Sequence, residues 1–358
     1  MIVLISAILI IHLIFLFNLI GKKDDSSSPD QWPKISIWVA ARNEETQIQN
    51  CLASLAQLDY PADKIQILVG DDQSEDRTAE VIKSFITDKP QFHYVWIDGT
   101  LGKAKKKANV LAHLAHQSNG DYFLFCDADI QVHPQWAKSL VRSFKKNIGV
   151  VSATTGISGN NWFSRMQNLD WLYFMGLIKS ASNVKIPCTA VGNNMAVSRE
   201  AYFKTGGYEN IPFSITEDYM LFKQILIRGY DWKHLLTPTT TSASAASPDF
   251  RTLMLQRKRW LTGGRDLPFY WKMLLALFGL FDPLILVCFF ILPYWALMLF
   301  CLHFVIQSSI LILTMKGAGK HFPFLDILSY SFYSSGVTAA TALFFPFSSG
   351  REWKGRKY

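Results

Sequence analysis

Residues 34–72 read KISIWVAARNEETQIQNCLASLAQLDYPADKIQILVGDD, and this stretch decides the fold. ISIWVAA (Ile35 to Ala41) is a short apolar run that reads as a buried strand. From Glu44 to Leu58 the apolar residues Ile48, Leu52, Leu55 and Leu58 recur at helical spacing. IQILVG (Ile65 to Gly70) is a second buried strand. The alternation continues outward: a helix over Thr78 to Phe85, a strand at FHYVWI (Phe92 to Ile97), a helix over Lys103 to His116, and a strand at YFLFC (Tyr122 to Cys126) that runs into an acidic turn. Alternating strands and helices predict an α/β fold with a mostly parallel sheet and helices on both faces. Such sheets bind ligands beyond the carboxyl ends of their strands. The polar residues stand there: Arg42, Asn43 and Glu44 after the first strand, Asp71 and Asp72 after the second, Asp127 and Asp129 after the fourth. No G-x-G-x-x-G follows the first strand, which disfavours a dinucleotide-dependent dehydrogenase.

The flanks differ in character. The chain has 358 residues, 49% of them hydrophobic and 18% charged, against roughly 25% charged in soluble domains. The apolar excess gathers at the two ends. Met1 to Ile20 contains no Asp, Glu, Lys or Arg, and about twenty apolar residues span a bilayer core as a helix. It lacks the basic start and small-residue cleavage site of a signal peptide, so a retained anchor over 1–21 is expected. Lys22 and Lys23 then place the middle of the chain in the cytoplasm. A linker follows over 22–33, a catalytic α/β domain over 34–250, and an interfacial helix over 251–270. Membrane segments, about three, occupy 271–347. Between Met273 and Met315 only Asp282 is charged, and Pro293 separates two candidate spans; Phe322 to Phe347 supplies the third. The basic tail 348–358 would then lie outside, against the positive-inside tendency, unless one segment is interfacial or re-entrant.

The formal charge of +8 suits phosphate-bearing ligands or an anionic membrane surface. No recognition module for nucleic acid is present. Lys105 to Lys107, Lys145 and Lys146, and the tail Arg351 to Lys357 read first as solvated or membrane-proximal charge. The five cysteines, Cys51, Cys126, Cys188, Cys288 and Cys301, are irregularly spaced with no C-x-x-C. They read as small buried hydrophobes in a reducing compartment, neither a zinc site nor a disulfide framework.

Five stretches carry possible chemistry. Asp127-Ala128-Asp129 places two carboxylates two residues apart at a strand end, where they can hold a divalent cation; the plain alternative is a solvated turn. Asp71 to Asp76 (DDQSED) can accept hydrogen bonds from a base or ribose, or simply cap the next helix. Thr216-Glu217-Asp218 offers a general base, or an N-cap with acids in the first turn. Gln256 to Trp260 (QRKRW) combines forked arginines, which suit diphosphate, with an indole face for a sugar; an interfacial anchor is the alternative. Lys103 contacts phosphate or water.

In order, VAARNE, DDQSEDRT, GKAKKKAN, CDAD, VGNNMAVSRE, TED and QRKRW resemble a membrane-bound family 2 glycosyltransferase, from about Ile35 to Trp260. The nearest patterns are the synthases of cellulose, hyaluronan and poly-N-acetylglucosamine, and shorter membrane-bound lipid glycosyltransferases. The resemblance implies a GT-A fold, a nucleotide-sugar donor (most often a UDP-sugar), Mg²⁺ or Mn²⁺, and a lipid or membrane-associated glycan acceptor. It implies an integral protein of a bacterial inner membrane with its catalytic domain in the cytoplasm. By position, Ala41 and Glu44 would lie near the base, and Asp71 or Asp72, with Asp72 favoured, would contact uracil. Lys103 would approach the phosphates. Asp127 would touch ribose or sugar and border the metal on Asp129. Asp218 would be the general base. Gln256, Arg259 and Trp260 would close over diphosphate and acceptor, and Gly192, Asn193, Asn194 and Glu217 would line the acceptor side. A short processive synthase is the alternative within the same chemistry. A silent nucleotide-binding protein is the alternative outside it.

Overall fold

The computed structural model describes residues 1–20 and 31–347, with the backbone of 352–353 and 356–357. Lys22, Lys23, most of the expected linker and most of the basic tail lie outside the described residues. In chain order the elements are α1 (Ile2–Leu19), β1 (Ile35–Ala41), α2 (Ile48–Ala56), β2 (Ile65–Asp71), α3 (Thr78–Ile86), β3 (Phe92–Trp96), α4 (Lys107–Gln117), β4 (Tyr122–Asp127), α5 (Trp136–Arg142), β5 (Ile148–Ala153) and β6 (Thr155–Ser158). There follow α6 (Trp162–Asn183), β7 (Asn194–Ser198), α7 (Arg199–Thr205), α8 (Glu217–Ile227), β8 (Asp231–Leu235), β9 (Ser242–Ala245), α9 (Phe250–Gly263), α10 (Phe269–Ile291), α11 (Pro293–Gly317) and α12 (Phe324–Phe347). They form two compact units.

The first unit, drawn from 23–156 and 189–245, holds a seven-stranded sheet in the order β3-β2-β1-β4-β7-β5-β8. Every pairing is parallel except those of β7, which runs antiparallel to both β4 and β5. The alternation of each strand explains its two buried faces. Ile35, Ile37, Val39, Ile67, Val69, Leu124 and Cys126 point to one side and pack with Cys51, Leu52 and Leu55 of α2 and Trp136 and Leu140 of α5. Trp38 points to the other, stacked on Phe123 at 4.6 Å and edge-on to Tyr202 at 5.4 Å. Each such aliphatic side chain contributes about 1.5–3 kcal/mol on burial. The register sets Ala41 beside Asp71 and Ala40 beside Asp127, so the ends of β2, β1 and β4 are level. β7 starts at that same end, because it is antiparallel: Asn194 pairs with Cys126.

Two helix starts differ from expectation. The helix expected from Glu44 opens at Ile48, and the one expected from Lys103 opens at Lys107. In the second case Gly102 and Lys106 both have positive φ, 53° and 55°, which breaks any helix before Lys107.

The second unit is helical and comprises 1–22, 157–188 and 246–351. Among the described residues three helices, α1, α10 and α11, are long and apolar enough to cross a membrane by length and composition. Ile5, Ile8 and Leu9 of α1 pack with Phe281 and Cys288 of α10 and Leu299, Ile306 and Ile310 of α11. α6 joins them closely: a Cβ at Gly176 would collide with Thr314 Oγ1 on α11. α12 is tied to α6 by polar contacts, Arg165 Nε donating to Asp326 Oδ2 at 2.7 Å and Tyr330 donating to Asp170 at 3.2 Å. The helix expected over 251–270 ends at Gly263, and a 3₁₀ turn separates it from α10. All five cysteines are free thiols; Cys51, Cys126 and Cys288 are buried as expected, but Cys188 is partly exposed and Cys301, on α11, is exposed.

Candidate active site

The level ends of β1 and β2 are joined by a clasp of loop on loop. Arg42 is buried, at 6% exposure, and its guanidinium donates to the carbonyl of Asp72, to that of Gln73 at 3.0 Å and to Glu75 at 3.1 Å. Asn43 N–H donates to Ser74 Oγ at 3.1 Å, Glu75 N–H returns a bond to Asn43 Oδ1 at 2.9 Å, and Glu44 N–H donates to Thr78 Oγ1 at 2.7 Å. The two adjacent acids separate in role. Asp71 is fully buried, and its oxygens accept from Ser74 N–H and the Tyr94 hydroxyl, both at 2.9 Å. Asp71 therefore anchors its own turn. Asp72 lies beyond it, at 8% exposure, with its N–H on the Ala41 carbonyl at 2.9 Å. Lys103 is exposed, and its backbone N–H is held by the Glu209 carbonyl at 2.8 Å.

The other acids converge where β4 ends, β7 begins and α8 begins. Asp127 accepts a 2.6 Å bond from Lys107 Nζ, which also reaches Glu217 at 3.1 Å. Asp129 accepts from Ser244 Oγ at 2.7 Å. Asp218 accepts from the N–H of Gly192 at 2.9 Å and from its own successor, Tyr219 N–H, at 2.8 Å. A Cβ at Gly192 would stand 2.5 Å from Asp218 Cβ, so the close approach requires glycine. Burial, with the Glu217 charge beside it, pushes the Asp218 carboxyl up to about 6, against Lys107 and the two N–H donors. Burial also raises Asp127, with Lys107 opposing. For Lys107 burial disfavours the charge, yet Asp127 and Glu217 outweigh it and hold the ammonium protonated well above its ordinary range.

Asn193 accepts from Thr155 Oγ1 at 2.9 Å. Asn194, expected on the acceptor side, is instead fully buried. Its oxygen accepts from Trp136 Nε1 at 2.8 Å, and its NH₂ donates to the carbonyls of Thr154 and Thr240 and to Ser242 Oγ. It knits α5, β7 and the segments after β5 and β8. Lys107 is the participant that motif reading overlooked. It was one of three consecutive lysines, and only the late opening of α4 singles it out.

Gln256, Arg259 and Trp260 lie on α9, in the helical unit. There Gln256 accepts from Ser247 Oγ at 3.5 Å, Arg257 pairs with Asp170, and Trp260 meets Trp171 edge-on at 5.2 Å. Among the described residues no three His, Cys, Asp or Glu side chains are grouped to hold a metal by themselves. The oxygen donors of Asp127 and Asp129 nonetheless suit a hard divalent cation whose remaining positions are filled by a ligand.

A family model, glycosyl transferase family 21, matches residues 2–358. The chain belongs to that family. This glycosyltransferase is 26% identical over 250 residues to the poly-beta-1,6-N-acetyl-D-glucosamine synthase of Staphylococcus epidermidis, a match covering 67% of this chain and 57% of that protein. It is 28% identical over 250 residues to the beta-monoglucosyldiacylglycerol synthase of Synechocystis sp., covering 67% and 49% respectively. The chain thus spans about half the length of the curated relatives it matches. Among solved structures it is similar to a mannosyltransferase from Pyrobaculum calidifontis in complex with GDP-Man and Mn²⁺, with TM-score 0.61, 16% identity, and coverage of 97% of this chain and 99% of that one. That likeness is one of fold: the enzyme is a GT-A glycosyltransferase, as the motif order implied.

Proposed function

We propose that this glycosyltransferase moves a sugar from a nucleotide-sugar donor, a UDP-sugar first, to a lipid or membrane-associated glycan, inverting the anomeric centre. The observation that carries the reading is Asp218. Its carboxylate is held by two backbone N–H groups, and burial, with Glu217 beside it, pushes it up to about 6, which suits a general base at neutral pH. In the proposed step an acceptor hydroxyl gives its proton to Asp218 while its oxygen attacks donor C1, and the nucleoside diphosphate leaves. Asp72, Glu44 and the end of β1 at Ala41 receive the base, and Asp127 the ribose or sugar. Lys103 serves the phosphates, and Glu217 and Asn193 the acceptor side. A divalent cation, Mg²⁺ or Mn²⁺, would be held by Asp129 with Asp127 at its border; when bound it neutralises charge on the leaving diphosphate. The Mn²⁺ bound to the Pyrobaculum protein supports that choice. Gln256, Arg259 and Trp260 are assigned to diphosphate and acceptor on the strength of QRKRW alone.

The names of the relatives favour N-acetylglucosamine or glucose as the sugar, and a glycan or a diacylglycerol lipid as the acceptor. The three apolar helices support an integral membrane enzyme, and we assign it to a bacterial inner membrane with the sheet unit in the cytoplasm. The test is a donor screen on detergent-purified protein with UDP-glucose, UDP-N-acetylglucosamine and GDP-mannose, reading released nucleotide. Turnover of one UDP-sugar is expected. Release from none of them, with acceptor lipids supplied, refutes the reading. Product length on a gel separates single transfer from a short processive synthase.

A further inference from the structure

Lys107 has no part in the chemistry proposed above, yet its ammonium stands among the acids. The backbone is arranged to put it there. Lys106 takes φ 55°, a conformation rare for a residue with a Cβ, and Lys107 immediately opens α4. Its side chain is only 19% exposed, and Nζ lies 2.6 Å from Asp127 and 3.1 Å from Glu217. Its charge also acts on Asp218. A buried ammonium bridging two carboxylates from different elements does what a cation does in such a cluster: it cancels repulsion and fixes their separation.

We propose that Lys107 is a resident counter-ion that engages Asp127 in place of a divalent cation. The free enzyme then holds the metal weakly, and the metal enters with the donor diphosphate on Asp129. On this reading the diphosphate supplies the oxygens that Asp129 alone does not. The inference rests on the reading that a divalent cation works at this site.

The test is Mn²⁺ binding by the full chain in detergent, followed by the spectrum of free Mn²⁺ in electron paramagnetic resonance, without nucleotide and with UDP or GDP. The wild type is expected to bind Mn²⁺ at least tenfold more tightly with nucleotide than without. Lys107→Met is expected to raise nucleotide-free affinity at least tenfold, and adding Asp127→Asn is expected to reverse that gain. Lys107→Arg should behave as the wild type. Because Lys107→Met leaves two carboxylates unpaired, Lys107→Met/Glu217→Gln is measured beside it, with the thermal midpoint of each. The same tenfold gain is expected in whichever variant folds. If the wild type binds Mn²⁺ with nucleotide but neither variant gains, the counter-ion inference alone is wrong. If no protein binds Mn²⁺ with either nucleotide, the cation reading falls with it.

Discussion

Asp218 governs the proposed chemistry at the scale of single residues. Asp218→Asn keeps the shape and the two N–H donors nearby but cannot take a proton. Turnover is expected to fall by about 10²–10⁴-fold with donor affinity little changed, measured by released nucleotide and by nucleotide titration. The acid works only when ionised. With its folded value near 6, the rate should drop about tenfold per pH unit below that point and level off above it. A flat profile between pH 5 and 7 would remove Asp218 from the role. Gly192→Ala drives a methyl toward Asp218, at 2.5 Å from its Cβ, so the carboxylate must shift; kcat is expected to fall by about 10²-fold at unchanged donor affinity. The acids were legible from sequence because each follows an apolar run or begins a helix. Lys107 was not. Three consecutive lysines look alike in a string, and what separates them is a backbone torsion at Lys106 that no side-chain pattern encodes.

At the scale of elements, the strands and helices up to β4 follow from periodicity, since each apolar run is flanked by helical spacing. β7 does not. NMAVS is a short apolar stretch whose direction is set by pairing with β4 and β5, and pairing between distant segments leaves no local trace. At the start of β7, Asn194, read from sequence as part of an acceptor-side motif, is buried on Trp136, Thr154 and Thr240. Asn194→Ala would strand the Trp136 indole N–H and the Thr240 carbonyl in a buried site, while the Thr154 carbonyl keeps the Ser242 N–H. A loss of about 3 kcal/mol is expected, read from the shift of the denaturant midpoint. A shift under about 0.5 kcal/mol would return Asn194 to the ligand-facing class.

At the scale of the whole molecule, composition announced two apolar flanks, and the structure draws α1, α10, α11 and the unforeseen α6 into one helical unit. α6 escaped notice because its sequence mixes apolar with polar and charged residues. The protein is expected to stay in the membrane pellet through an alkaline carbonate wash and to leave it only with detergent; recovery in the wash would refute membrane integration. The knot at Asn194 has a consequence in time. It gathers residues from 136 to 242, and the acids flanking it span 127 to 218. During synthesis the ribosome must deliver the segment through Ser242 before these partners can all meet, and contacts so distant along a chain form late. A growing polypeptide still short of Ser242 would thus carry the acids from Asp127 to Asp218 while Asn194 lacked the Thr240 carbonyl and the Ser242 hydroxyl that hold it.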